Sequence, residues 1–164
     1  MGQTRFDQDV HVNGTLSAKT LDIPASTVID ADVSSAADIA QGKLEHQHAK
    51  NYSQPNTAST TETRILHVVF GASGTALDFR AASIAAATGN ATHTIDLKKN
   101  GTTMLSAVIT LDNANTAYIA EAGTLSVTAL TNGDVLTIVH TATVGTGALP
   151  TGVGVELRLK EKAA

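Results

Sequence analysis

The sequence predicts an all-β chain: an antiparallel β-sandwich or jelly-roll-like barrel, with an extended N-terminal arm and one short helix before it. Three observations carry that prediction. Apolar side chains recur at every second position through much of residues 63–164, the period of a half-buried strand. Asn-Gly pairs separate the alternating runs, and this dipeptide supplies the positive φ angles of a two-residue hairpin turn. Thr and Val are frequent, and no segment there keeps the 3.6-residue spacing of a helix face. Alternation cut by tight turns is the pattern of sandwiches and barrels.

The chain divides into three regions. Residues 1–34 read as an assembly arm with a β-hairpin. Val10 and Val12 alternate with polar neighbours, Asn13-Gly14 makes a turn, and Leu16, Ala18 and Leu21 continue on a returning strand. Pro24 disfavours helix at Ile23, so the segment from Ile23 to Ile29 reads as extended. Residues 35–62 read as a short helix and a polar linker. Ser34 or Ser35 caps a helix through Ala36 to Ala40, Gly42 interrupts it, and Lys43 to His46 resumes it. The stretch from Asn51 to Thr61, with Pro55 inside it, holds almost nothing to bury.

Residues 63–164 read as the sandwich. Ile65 to Phe70 is an apolar run containing His67. Ile95 and Leu97 share one face of the next strand, with Thr94, Asp96 and Lys98 on the other, and Asn100-Gly101 turns the chain. Leu105, Ala107, Ile109 and Leu111 share the returning face. Leu125 to Leu130 and Val135 to Thr141 follow, divided by Asn132-Gly133-Asp134. The last strand turns Val153, Val155, Leu157 and Leu159 inward and Glu156, Arg158 and Lys160 outward. Ala81 to Ala87 is read as strand, since seven residues make a short helix.

The composition limits what this core is made of. Hydrophobic residues are 42% of the chain but aromatics only 3%, so burial must come from Ala, Val, Leu and Ile. Small side chains each bury little area, at roughly 25 cal/mol per Å². Such a core is thin, or is completed against other subunits. Charged residues are 16%, and Thr, Ser, Ala and Gly fill the surface instead. A net charge of −4 without clustered Lys and Arg argues against a nucleic-acid partner. No apolar run reaches the ~20 residues of a membrane helix, and the first residues lack the apolar core of a signal peptide. Without cysteine there is no disulfide and no thiolate zinc site. A soluble protein made in the cytoplasm is the expectation.

No catalytic constellation stands out, and the expectation is that the chain is not an enzyme. The Ser residues sit in no Gly-x-Ser-x-Gly elbow. The carboxylate pairs Asp7/Asp9 and Asp30/Asp32 read as solvated strand or turn residues. Gly71 to Thr75 and Gly145-Thr146-Gly147 lack the Gly-Lys-Ser/Thr of a phosphate loop and read as loop punctuation. Asp134 reads as a turn residue. The candidate metal ligands are His46 and His48, two apart and therefore on one face of an extended segment. In a symmetric trimer they present imidazoles to an axial metal, and imidazole suits Zn, Ni or Fe. A His-x-His segment with no metal is the commoner case, and no cofactor is expected. His11, His67, His93 and His140 read as satisfied strand residues.

The stretch Asp9-Val10-His11-Val12-Asn13-Gly14-Thr15-Leu16-Ser17-Ala18 resembles the N-terminal segments of tailed-bacteriophage fibre and head-decoration proteins, in which such a hairpin docks or trimerises. The phrases Asp96-Leu97-Lys98-Lys99-Asn100-Gly101-Thr102 and Gly133-Asp134-Val135-Leu136 are similar to phrases in β domains of phage virion proteins. The resemblance implies a virion structural protein: a capsid decoration (cement) protein, or a short head or tail fibre. It also implies a homotrimer on the capsid surface, made in the host cytoplasm. The absence of repeats and heptads favours decoration over a long fibre. The implied partners are the chain itself and the major capsid protein or another virion protein, with no nucleic acid and no membrane.

The physical reading of the arm agrees. Phe6, Val10, Val12, Leu16, Leu21, Ile23, Val28 and Ile29 have too little local core to bury them. They are expected to pack on a neighbouring subunit or capsid surface, with edge-strand addition as one mode. The alternative is a receptor- or carbohydrate-binding fibre-tip module. Scarce aromatics count against it, and Tyr118 is the residue whose substitution would test it.

Overall fold

The computed structural model describes residues 45–162, which fall within one compact unit, Ile39–Ala164. The arm residues Phe6, Val10, Val12, Leu16, Leu21, Ile23, Val28 and Ile29, and the helix expected after Ser34, lie outside the described residues. Ten strands occur in order: β1 Glu45–Ser53, β2 Glu62–Val68, β3 Ser73–Ala82, β4 Thr92–Lys99, β5 Thr102–Thr103, β6 Ile109–Leu111, β7 Glu121–Gly123, β8 Ala129–Thr131, β9 Val135–Thr143 and β10 Gly154–Lys162. The described residues contain no helix.

Every pairing is antiparallel. One sheet runs β1-β10-β3, with β7 and β8 on the far side of β3. The other runs β2-β9-β4, with β5 and β6 on the far side of β4. The chain thus folds back on itself as one long ribbon. β1 pairs β10, β2 pairs β9, β3 pairs β7 and β8, and β4 pairs β5 and β6. Successive pairs fall in opposite sheets, so the ribbon is rolled into a jelly roll.

The alternation read from the sequence places the core. His93, Ile95 and Leu97 of β4, Leu136, Ile138 and His140 of β9, and Val155, Leu157 and Leu159 of β10 are all buried. Between the sheets the core cluster holds one aromatic, Phe79. Asn100 and Gly101 adopt φ of 50° and 85°, the double positive-φ conformation expected of this turn. The second Asn-Gly turn is tied to the first. Asn100 donates to Asp134 Oδ1 at 2.7 Å and accepts the Val135 N–H at 2.8 Å. Asp134 Oδ2 accepts the Thr131 N–H at 2.8 Å. These bonds, the one from the Thr131 backbone foremost, hold the Asp134 carboxyl below the usual carboxylate range, which is the turn role its sequence context suggested.

Several expectations change. The sandwich begins before residue 63, because β1 occupies part of the region read as helix and linker. Its inward side chains are His46, His48, Lys50 and Tyr52, a set too polar to register as a buried face. Gly71 to Thr75 is not all loop: β3 starts at Ser73, and a Cβ on Gly74 would lie 2.8 Å from the Lys160 carbonyl oxygen. Strand stops at Ala82, and Ala85 keeps only an isolated bridge to Thr151. The Leu105–Leu111 face is broken, with Ala107 exposed between Leu105 and Ile109. The strand expected from Leu125 to Leu130 shrinks to Ala129–Thr131. Bulges also disturb the alternation: the shift at Arg158/Leu159 leaves Leu77 unpaired and 41% exposed.

Candidate functional site: a polar seam between the sheets

The distinctive chemistry among the described residues lies where β1 and β2, an edge strand from each sheet, face one another. Directly opposed residues of an antiparallel pair point to the same face. His46, His48, Lys50 and Tyr52 oppose Glu161, Leu159, Leu157 and Val155, so all four turn towards the interior. On β2, Glu62 and Arg64 oppose the buried His140 and Ile138. The register then shifts between Ile65 and His67, which lets Leu66 and His67 both lean inward. Polar side chains, not a hydrophobic strip, therefore close this side of the sandwich.

Glu62 is the centre of the first cluster. Its carboxylate accepts hydrogen bonds from Tyr52 Oη at 2.8 Å, Gln54 Nε2 at 2.7 Å and Arg64 Nε at 2.8 Å. Gln54, 5% exposed, also donates to the Thr60 carbonyl and accepts the Thr60 N–H, which pins the β1–β2 connection. The Arg64 guanidinium lies 5.8 Å from the centre of the Tyr52 ring. Burial alone would raise the Glu62 pKa, but the bonds from Gln54, Arg64 and Tyr52 outweigh it and bring the carboxyl down to about 2. The same carboxylate pushes the Tyr52 phenol up by accepting its hydrogen bond. Glu62 is thus a fixed anion, ill suited to proton transfer near neutrality.

Beneath it lies an imidazole pair. His93 Nε2 and His140 Nδ1 are 2.8 Å apart, and both residues are fully buried. Two neutral imidazoles share one N–H···N bond, so one nitrogen of each is left over. Those atoms, His93 Nδ1 and His140 Nε2, are buried without a partner. Burial, reinforced by the neighbouring His140, holds His93 down to about 4, and burial also lowers His140. The expectation that both are satisfied strand residues is therefore met only by half of each ring.

The second cluster surrounds Glu161. Its Oε2 lies 3.5 Å from His48 Nε2 and 3.3 Å from His67 Nε2, joining β10 to both β1 and β2. The His46 and His48 rings are near-parallel with centroids 6.4 Å apart, so they share one strand face as the extended reading required. That face is the inner one, with His46 Nε2 buried. Among the described residues no group of three or more His, Cys, Asp or Glu is arranged to hold a metal ion.

Sequence reasoning named His46 and His48 but passed over Tyr52, Glu62, Gln54 and Glu161. The available signal was register: Glu161 continues the inward series of Val155, Leu157 and Leu159, as His93 and His140 continue theirs. The glycine segment Gly145-Thr146-Gly147 lies in a loop, as expected, and packs closely there. A Cβ on Gly147 would fall 1.8 Å from the Thr88 carbonyl oxygen, and Ala148 N–H donates to Thr88 Oγ1 at 2.8 Å.

No family model and no curated protein matches this chain. Among solved structures it is similar to a chain from "Structure of infectious bursal disease virus Gx strain", at 14% identity and TM-score 0.32, covering 73% of this chain and 33% of that one. This chain therefore spans about a third of that protein. It is also similar to a chain of Desmodium yellow mottle tymovirus, at 7% identity and TM-score 0.33, covering 98% and 96%. A chain of the Gt strain of infectious bursal disease virus follows, at 14% identity and TM-score 0.27, covering 88% and 42%.

Proposed function

We propose that this chain is a non-enzymatic structural virion protein that decorates and stabilises a phage capsid. It does so by self-association, as a homotrimer, and by docking its N-terminal arm on neighbouring subunits or on the major capsid protein. The observation that carries this reading is the rolled strand order, β1-β10-β3 facing β2-β9-β4, because jelly rolls of this kind serve viral capsid domains. The same architecture hosts lectins and cupins, so the site must choose among them. The titratable groups of the seam are spent on holding two sheets together, which favours a structural role. The outer face of β2, β9 and β4 adds to it, with Thr63, Thr92, Thr94, Thr137, Thr141 and Thr143 on one low-charge surface. Such a surface loses little on desolvation when it packs against a neighbour.

The test compares the full chain with a variant lacking residues 1–34. Light scattering, with and without a chelator, gives the native mass, and co-sedimentation with capsids of the encoding virus gives decoration. The expected results are a trimer indifferent to chelation, and a truncated protein that keeps its β-sheet circular dichroism but no longer pellets with capsids. A truncated protein that still decorates refutes the role of the arm. A monomeric full chain refutes self-association.

A further inference from the structure

We propose that the outer face of the β1-β10-β3 sheet carries a binding pocket for an uncharged hexose of a glycan, with Tyr118 as its stacking wall. This site is separate from the seam and does not depend on the capsid reading. The pocket has a volume of about 510 Å³, within the ~300–1,000 Å³ typical of small-ligand sites.

Its shape follows from the cross-strand rows. Ser53, Gly154 and Ala82 stand side by side on three adjacent strands and leave a hollow where longer side chains would project. The next row, Asn51, Glu156 and Arg80, is long and polar and closes one end. Ile84 and Tyr118 form the wall at the other.

Tyr118 is held there against its own backbone preference. Its φ is 63°, a conformation costly for a bulky residue, and its N–H is anchored on the Ser83 carbonyl at 2.9 Å. Even so the residue is 75% exposed, so core packing does not explain the strain. An aromatic residue whose backbone is anchored at the rim of a hollow is placed to stack on a ligand.

A pyranose matches these groups. It offers an apolar C–H face to the Tyr118 ring and a rim of hydroxyls to the Asn51 amide, the Ser53 hydroxyl and the Glu156 carboxylate. None of those three polar groups has a hydrogen bond or ion pair to another described residue. Charge selects the class of sugar. Arg80, which donates Nε to Asp78 Oδ2 at 2.7 Å, stands across from Glu156, and Arg158 stands across from Asp78, so the face offers an acidic sugar no net positive charge. The hollow also suits one or two sugar rings better than the broad contact of a protein partner.

The experiment is saturation-transfer NMR on the full chain with a panel of neutral gluco-, galacto-, manno- and N-acetylated mono- and disaccharides at millimolar concentration. Transfer to ring C–H protons of at least one sugar is expected. Tyr118→Phe keeps it, whereas Gly154→Leu fills the hollow and abolishes it. Tyr118→Gly removes the wall and relieves the positive φ, so it weakens binding at least about tenfold while raising Tm. A panel with no transfer overturns the proposal, and so does transfer that survives Tyr118→Gly. A drop in native mass on Tyr118→Gly without sugar also overturns it, since the face is then a contact between copies.

Discussion

Acid should destabilise this domain through the His93–His140 pair before Glu62 is protonated. His93 is held at about 4 in the folded protein against an ordinary 6.5. The unfolded chain therefore binds a proton below pH 6.5 that the folded chain refuses, and stability falls as pH drops. The stabilising balance is complete above 6.5 and is lost progressively down to about 4. Each pH unit of that mismatch costs ~1.4 kcal/mol, so by pH 4.5 the loss is about 3 kcal/mol, a sizeable part of a typical ~5–15 kcal/mol. His140 is lowered too, and the paired rings admit their first proton as a unit. Glu62 works in a lower window: its stability contribution is present above 4.5 and disappears towards 2, so the loss above pH 4.5 is not its doing. The assay is urea unfolding followed by circular dichroism from neutral pH to pH 4.5. The comparison is the double variant His93→Leu/His140→Leu, which replaces both partners with apolar groups of similar size. The variant is expected to keep its neutral-pH stability and to flatten the pH profile. A flat wild-type profile, or an equally steep one in the variant, refutes the argument.

Two further outcomes follow from the hydrogen-bond networks. Glu62→Gln leaves Tyr52, Gln54 and Arg64 competing for a neutral acceptor; it should lower stability at pH 7 by about 1–3 kcal/mol and shrink the loss below pH 4.5, both read from urea midpoints. Asp134→Ala unlocks Asn100 and Thr131 together, and should cost about 1–2 kcal/mol with faster amide hydrogen exchange at Thr131 and Val135.

The fold was legible wherever one face of a strand is uniformly apolar. β4 and β10 alternate so regularly that apolar inward residues were identified one by one, β9 was found as a run, and the Asn100-Gly101 turn followed from its dipeptide. β1 was not legible because its inward face is His46, His48, Lys50 and Tyr52, which alternate in geometry but not in hydropathy. β3 was obscured by Gly71 and Gly74 and by the bulge at Leu77, which puts Ala76 and Phe79 inward at an odd spacing. The seam itself was half legible. The His-x-His pair signalled it, and Glu161 continues the inward series of its strand, but the partners come from strands distant in sequence and nothing local announces Glu62. Composition did anticipate one physical point: few aromatics enter the core, where Phe79 is buried and Tyr52 packs against it partly buried.

The seam also bears on how copies of this chain can meet. Among the described residues β1 pairs with β10 and β2 with β9, so each lies at the edge of its sheet, where an open backbone edge templates unwanted sheet extension. The opposite edges are broken into the short pieces β5, β6, β7 and β8, which offer little to pair with. β1 is nine residues long and needs another device. Inward-pointing charged residues and bulges are two such devices, and this side has both: Lys50 faces the interior from β1, and β2 is bulged between Ile65 and His67. A neighbour added beside β1 would have to desolvate Lys50, so association through sheet faces or the arm is favoured over edge-to-edge growth. Lys50→Val removes that barrier and sets an apolar side chain across from Leu157. Its expected result is an unchanged or higher urea midpoint together with concentration-dependent species larger than the wild-type particle, seen by light scattering. A Lys50→Val protein whose mass matches the wild type across concentrations would show that the edge is guarded by something other than this charge.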